Sequence, residues 1–268
     1  MHPDLVSLGF LHIKTYGAFM ALAFLAGWQV IAYLCRRTGR NPEPLSNLLM
    51  LMMASGVVGS RLAYVVEHWR SEFAGHPELI VRVDQGGLMF YGGLILAVAV
   101  FVVWCRVKRE SLVRLADLFT TVVPLGHAFG RVGCFFYGCC YGRLSDSPCA
   151  VAFPRGSPAW YEQVNAGLVR SEATASLPVL PTQLFEAAAV LALFAALFLL
   201  YRRFWQRLPG FVTGCYFVGY ACIRFGIEVL RGDPRAAVGP FSISQTISLG
   251  LLLAGGVLIV VAFRRGKL

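Results

Sequence analysis

The strongest constraint on this fold is a repeat of long apolar stretches separated by clusters of Arg and Lys. Each stretch is close to the ~20 residues that cross a bilayer as an α-helix. A backbone held in hydrocarbon must satisfy its own N–H and C=O groups, and for segments of this length a helix does so. Seven stretches qualify: 11–35, 45–66, 86–105, 115–136, 183–201, 211–230 and 242–263, the third opened by Gly86-Gly87 and expected to be interrupted at Gly92-Gly93. They define an all-α integral membrane protein with about seven transmembrane helices. The chain is 57% hydrophobic and only 14% charged, far more apolar than a soluble domain of its length. Met-His-Pro-Asp at the start lacks the basic region of a cleavable signal peptide, so the first stretch is expected to be retained. Between 137 and 181 the pattern changes to polar residues, prolines and short apolar runs. The expected organisation is one polytopic membrane domain, 1–268, with a small extracytoplasmic insertion at about 137–181.

The net charge of +10 does not signal a nucleic-acid partner, because much of it sits in short clusters between the apolar stretches. One set of alternate loops holds thirteen basic residues, among them Arg36, Arg37, Arg40, Arg106, Arg109, Arg202, Arg203, Arg264, Arg265 and Lys267. The other set holds eight, spread over much longer segments. The positive-inside rule places the first set in the cytoplasm. The N-terminus, the 137–181 segment and the 231–239 loop then face outward, the C-terminus faces the cytoplasm, and the expected location is a bacterial inner membrane.

Three arginines remain inside the apolar stretches: Arg61, Arg131 and Arg224. A charge at membrane depth costs roughly 2.5–3.5 kcal/mol on insertion scales and is usually kept for a task. Arg131 lies in the run 126–142, which carries His127, Cys134, Cys139, Cys140 and glycines at 126, 130, 133, 138 and 142. His127 precedes Arg131 by four residues, so both share a helix face. Tyr220, Arg224 and Glu228 follow the same spacing and form one face of the sixth stretch. All three arginines fall near the outer ends of their stretches, where they can converge on one cavity at one depth. A guanidinium fork binds phosphate bidentately and stays charged at any accessible pH, which suits a phospholipid headgroup. Snorkelling to the headgroups, or intramembrane salt bridges such as Arg224 with Glu228, are the structural alternatives.

Of the eight cysteines, Cys35, Cys105, Cys215 and Cys222 lie in or at the ends of apolar stretches, where cysteine acts as a small hydrophobe. Cys134, Cys139, Cys140 and Cys149 fall together. Disulfides, a zinc site and reduced packing residues are all open. The spacing lacks the C-x-x-C pairs of structural zinc sites. The favoured reading is a disulfide stapling the end of the fourth stretch to the outer insertion.

Together these motifs resemble the prolipoprotein diacylglyceryl transferase family over nearly the whole chain. The family signature Gly-Arg-x-Gly-Asn-Phe, continuing to a Glu and a closing Gly, reads here Gly130-Arg131-Val132-Gly133-Cys134-Phe135, then Cys139 and Gly142. The family's His-Gly-Gly-Leu is Tyr91-Gly92-Gly93-Leu94. An early Tyr-Gly matches Tyr16-Gly17, and Pro-x-Gln-Leu-x-Glu matches Pro181 to Glu186. Gly-Tyr-x-x-x-Arg-x-x-x-Glu-x-x-Arg matches Gly219, Tyr220, Arg224, Glu228 and Arg231, and the terminal Ser-x-Gly-Gln matches loosely at Ser242 to Gln245.

The resemblance implies transfer of the diacylglyceryl group of phosphatidylglycerol to the lipobox cysteine thiol of a prolipoprotein signal peptide. A thioether forms and glycerol phosphate leaves, with no metal and no cofactor. The implied catalytic residues are Arg131, Arg224, Tyr91 and His127. Those implied to bind substrate are Tyr16, Arg61, Gly92, Gly93, Arg131, Gly142, Tyr220, Glu228 and Arg231. Three resolutions are open for the thiol proton. His127 takes it, or the arginine charges alone ionise the thiol while Tyr91 positions the headgroup, or the step is lost. The second is favoured, since cations lower a thiol pKa. A diverged, non-catalytic relative that binds lipid or lipoprotein is the alternative function. A small-molecule transporter fits less well, because no internal repeat of the stretches is visible.

Overall fold

The structure is a computed structural model and describes residues 4–8, 11–82, 86–233 and 237–266. Eight α-helices carry it: α1 Thr15–Arg37, α2 Glu43–Glu67, α3 Phe90–Val107, α4 Leu112–Tyr137, α5 Pro158–Asn165, α6 Thr182–Phe204, α7 Phe211–Leu230 and α8 Ile243–Gly266. Six of them, α1, α2, α3, α4, α6 and α8, are long and apolar enough to cross a membrane. The sixth expected stretch, 211–230, is helical with the expected bounds, but as α7 it falls outside that set. Two buried charges, Arg224 and Glu228, lower its hydropathy. Large apolar side chains stand outward along the spans, for example Ile95 at 70% and Leu253 at 73% exposure, where lipid tails replace a protein core.

Two expectations are corrected at the ends of spans. The first does not begin at residue 11. Asp4–Leu8 (β1) and Leu11–Lys14 (β2) pair as an antiparallel hairpin, and the helix starts at Thr15. Nor is the third span broken at Gly92-Gly93. It is continuous from Phe90, and those glycines serve helix packing. Arg235 and Lys267, both counted among the loop charges, lie outside the described residues.

The chain divides into two compact units. One comprises residues 31–115. Its centre is the α2–α3 pair, in which Gly56 and Gly59 meet Gly92 and Gly93. A Cβ on Gly59 would lie 2.5 Å from the Gly92 carbonyl oxygen and 2.7 Å from Leu96 Cβ. Only glycine allows that approach, the usual means of helix association in lipid. Arg61 of α2 is saturated by backbone. Its Nε donates to Ile80 O at 2.8 Å, Nη2 to Leu79 O at 2.6 Å, and Nη1 to Gly86 O and Gly87 O at 3.1 and 3.0 Å. The Tyr64 and Phe73 rings flank its guanidinium at 5.5 and 5.3 Å.

The other unit comprises residues 1–30 and 116–268. Within it α7 packs against α6 and α8. The buried carboxylate of Asp117 on α4 accepts from Gly210 N, Thr213 N and Thr213 Oγ1 at 2.6, 2.8 and 2.7 Å, which fixes the start of α7. Two short strands, β3 Ala237–Val238 and β4 Phe241–Ser242, precede α8. The 137–181 segment has its own small core of Tyr141, Phe153, Ala159 and Val179, with Phe135 of α4 packed against it. Ser157 caps α5 by accepting from Trp160 N.

Candidate functional site

In the second unit α4 and α7 each bring an arginine to one carboxylate on α6, and α8 adds a hydroxyl to the Arg224 side. His127 and Arg131 lie one turn apart on α4, and Arg131 Nε donates to His127 Nε2 at 3.0 Å. From α6, Glu186 sets Oε1 3.0 Å from Arg131 Nη2 and 3.3 Å from His127 Nε2. Its Oε2 lies 4.0 Å from Arg224 Nη1 on α7. Arg224 Nη2 in turn lies 2.8 Å from Glu228 Oε2 and donates to Ser244 Oγ of α8 at 2.9 Å. Glu186 is 1% exposed and Arg224 7%, so the carboxylate and Arg224 are withdrawn from water, while His127 and Arg131 are half-buried.

Geometry fixes the histidine. A guanidinium Nε–H has no state but donor, so His127 Nε2 is the acceptor in this contact. That nitrogen cannot also donate to Glu186, so the 3.3 Å approach is proximity and the carboxylate is held by Arg131 Nη2. The cluster sums to zero: Arg131 and Arg224 against Glu186 and Glu228. The sequence left phosphate binding and salt bridges such as Arg224 with Glu228 both open; each guanidinium already faces a carboxylate. The pairs are close but poorly aligned. Both oxygens of Glu186, both of Glu228, Arg224 Nη1 and Gln183 Oε1 are buried without a directed hydrogen bond among the described residues. Buried polar groups are nearly always bonded, and a cluster of exceptions marks a place where a polar ligand adds partners.

The remaining site residues distribute as follows. The Tyr220 ring stands 5.4 Å from that of His127 and stacks on Tyr216. Tyr16, in the first turn of α1, packs on Gly133 and lies within the field of Arg131. Gly142 bridges Arg231 through backbone, and its N–H donates to Leu180 O at 2.8 Å. Arg231 is held bidentately by Asp233 at 2.8 and 2.7 Å. Tyr91, Gly92, Gly93 and Arg61 belong to residues 31–115: Tyr91 is 56% exposed beside Phe90, and the other three have the packing and tethering contacts described above.

All eight cysteines are free thiols, so the expected staple to the insertion is not formed. Cys149 is exposed with Sγ 3.2 Å from Ser147 Oγ. Cys134, Cys139 and Cys140 turn toward one another instead, their sulfurs all within 4.8 Å. Hydrogen bonds from the Cys134 and Cys139 thiols, with Arg231 and Arg131 nearby, hold the Cys140 thiol well below the usual thiol range.

Glu186, the hub, was absent from the sequence-derived site. Its signal was the Pro181–Glu186 motif, which also contributes Thr182 and Gln183. These donate to the carbonyls of Cys140 and Cys139 at 2.9 and 2.7 Å and lock the turn after α4 to the start of α6.

Comparison with known proteins gives the family. A family model described as "Prolipoprotein diacylglyceryl transferase" matches residues 3–261. A phosphatidylglycerol–prolipoprotein diacylglyceryl transferase of Rhodospirillum rubrum is 35% identical, covering 99% of this chain and 93% of the relative. One of Clostridium perfringens is 32% identical over 93% of this chain and 90% of the relative. A third, of Pseudoalteromonas translucida, is 30% identical over 98% and 93%. With a match over almost its full length, the chain belongs to the prolipoprotein diacylglyceryl transferase family.

Proposed function

We propose that this protein transfers the diacylglyceryl group of phosphatidylglycerol to the lipobox cysteine thiol of a prolipoprotein. The relatives' names give phosphatidylglycerol, the diacylglyceryl group and the prolipoprotein. The observation that carries it here is the pair of guanidinia, Arg131 and Arg224, set on one buried carboxylate. In the reaction the thiol sulfur attacks the glyceryl carbon that bears the phosphate. A C–S bond forms, the C–O bond breaks, and glycerol phosphate departs with the bonding pair. The phosphodiester gains one negative charge as it becomes a monoester. Donors fixed before that charge appears stabilise it without reorganisation. Arg131 and Arg224, held by Glu186, Glu228 and Ser244, are such donors. Because the resting cluster is neutral, recognition rests on aimed N–H groups rather than on excess positive charge.

Catalytic roles go to Arg131 and Arg224. The lone pair of His127 Nε2 faces Arg131, so a positioning role suits it better than a proton acceptor. The nearest charges, the guanidinia of Arg131 and Arg224, then ionise the incoming thiol locally although the cluster as a whole is neutral, its proton passing to water; the thiol begins within about two units of neutrality. Tyr16, Tyr220, Glu228, Gly142 and Arg231 frame the substrate site.

The membrane reading is finer than six spans. Basic clusters close α1, α3, α6 and α8. With α6 and α8 both ending on the basic side, α7 must cross between them, which gives seven spans in one polytopic domain. The N-terminus and the 137–181 insertion then lie outside the bacterial inner membrane, with the C-terminus in the cytoplasm. Expression in a bacterium depleted of its own transferase tests the activity. Growth and lipidated lipoproteins are expected. A protein that accumulates in the membrane without restoring either refutes it.

A further inference from the structure

The turn after α4 holds a cluster that the transfer chemistry does not use. Cys134 comes from the last turns of the helix, and Cys139 and Cys140 follow it. The Cys134 carbonyl accepts from Gly138 N at 2.9 Å and Cys139 N at 3.2 Å, which folds the turn back on the helix end. Cys140 has φ of 63°, rare for a non-glycine residue, and this swings its thiol toward the other two. Thr182 and Gln183 of α6 pin the two carbonyls of the pair. The cluster is therefore preorganised from outside itself.

We propose that Cys134, Cys139 and Cys140 form a three-thiolate site for a soft, low-coordinate metal ion of the monovalent copper class. Their sulfurs lie within 4.8 Å of one another. A trigonal ion at ~2.3 Å from each sulfur sets them about 4 Å apart, so small side-chain rotations close the site. Thiolate donors select soft ions over calcium or magnesium. Among the described residues no fourth ligand joins the three sulfurs: Asp233 is engaged by Arg231, Glu186 by Arg131, and Cys149 is exposed beside Ser147. Structural zinc takes four ligands, whereas a trigonal set suits an ion of lower coordination. Arg131 and Arg231 lie near the thiols, and their positive charge favours thiolate once the ion displaces the protons. Spacing alone argued against a metal here, because the third ligand arrives through the left-handed turn at Cys140 and not through a C-x-x-C pair.

The test uses the full-length, reduced protein in detergent under anaerobic conditions. Monovalent copper is titrated against a chromogenic copper(I) chelator while the sulfur-to-copper absorption is followed. One ion per chain is expected. Loading should shield Cys134, Cys139 and Cys140 from alkylation, mapped by mass spectrometry, and leave Cys149 and Cys222 reactive. Cys134→Ser should lose the uptake and Cys149→Ser should keep it. The shielding map needs only the wild-type chain, so a variant that fails to fold does not blunt the test. No saturable uptake by reduced wild type, or shielding that spares these three thiols, overturns the proposal. Neither readout depends on transferase activity.

Discussion

Replacing Glu186 with Gln keeps the side chain's size and removes the charge that joins α4 to α7. Arg131 Nη2 is 3.0 Å from this carboxylate and Arg224 Nη1 is 4.0 Å away. At an effective dielectric constant near 20, Coulomb's law gives roughly 5.5 and 4 kcal/mol for the two contacts, before desolvation is subtracted. Removing one partner of a buried pair costs about 3–5 kcal/mol, because the other charge is left buried and uncompensated. Glu228 still faces Arg224, so the stranded charge is that of Arg131. The expected loss of stability is therefore about 3–5 kcal/mol. At about 2–4 °C per kcal/mol for a chain of this size, that lowers the melting temperature by on the order of 10 °C. Heating the detergent-solubilised protein and measuring what remains monodisperse by fluorescence-detected gel filtration reads this directly. A double-mutant cycle sharpens it: Arg131→Gln should cost less in the Glu186→Gln background than in the wild type. If Glu186→Gln melts within about 2 °C of the wild type and the cycle shows no coupling, Glu186 is not the hub and the geometry has been misread.

Three further outcomes are expected. Reporter fusions after Arg109 and Arg203 should both signal the cytoplasm; a periplasmic signal at either overturns the orientation and the outer-leaflet site. Gly142→Ala should destabilise by about 1–3 kcal/mol in the same melting assay, because its Cβ would sit 2.7 Å from Leu180 Cβ and 2.8 Å from Leu230 O. In a transfer assay with phosphatidylglycerol and a lipobox peptide, His127→Ala should retain substantial turnover and Tyr91→Phe should lose only a modest part. A folded His127→Ala protein that binds lipid and transfers nothing would assign the base to His127.

The spans were legible because their signal is local. Sixth-span bounds read from apolar content alone coincide with α7, and the others lie within a few residues. The first span was misread at its start because residues 11–14 are apolar enough to join it, while their pairing with residues 4–8 leaves no mark in apolar content. Gly92-Gly93 was ambiguous for a different reason. Glycine serves both a broken helix and a close helix contact, and the deciding partner, Gly59, is far away in sequence. Arg61 was counted as a headgroup ligand because its acceptors are backbone carbonyls, which leave no mark in the sequence. Within the site, His127 with Arg131 and Arg224 with Glu228 followed from four-residue spacing. Glu186 did not, because its meeting with Arg131 spans two helices and the insertion between them. The cysteine cluster needed the backbone conformation at Cys140, which spacing cannot supply.

The central claim is that two planar guanidinia hold the phosphodiester while a thiol displaces it. Its most direct test is thioether formation by purified wild type, Arg131→Lys and Arg224→Lys on phosphatidylglycerol and a lipobox peptide. Each lysine keeps the charge but not the fork. The wild type should form product, and each variant should lose on the order of 100-fold or more in kcat/KM. Lysine variants that turn over at nearly the wild-type rate would contradict the account.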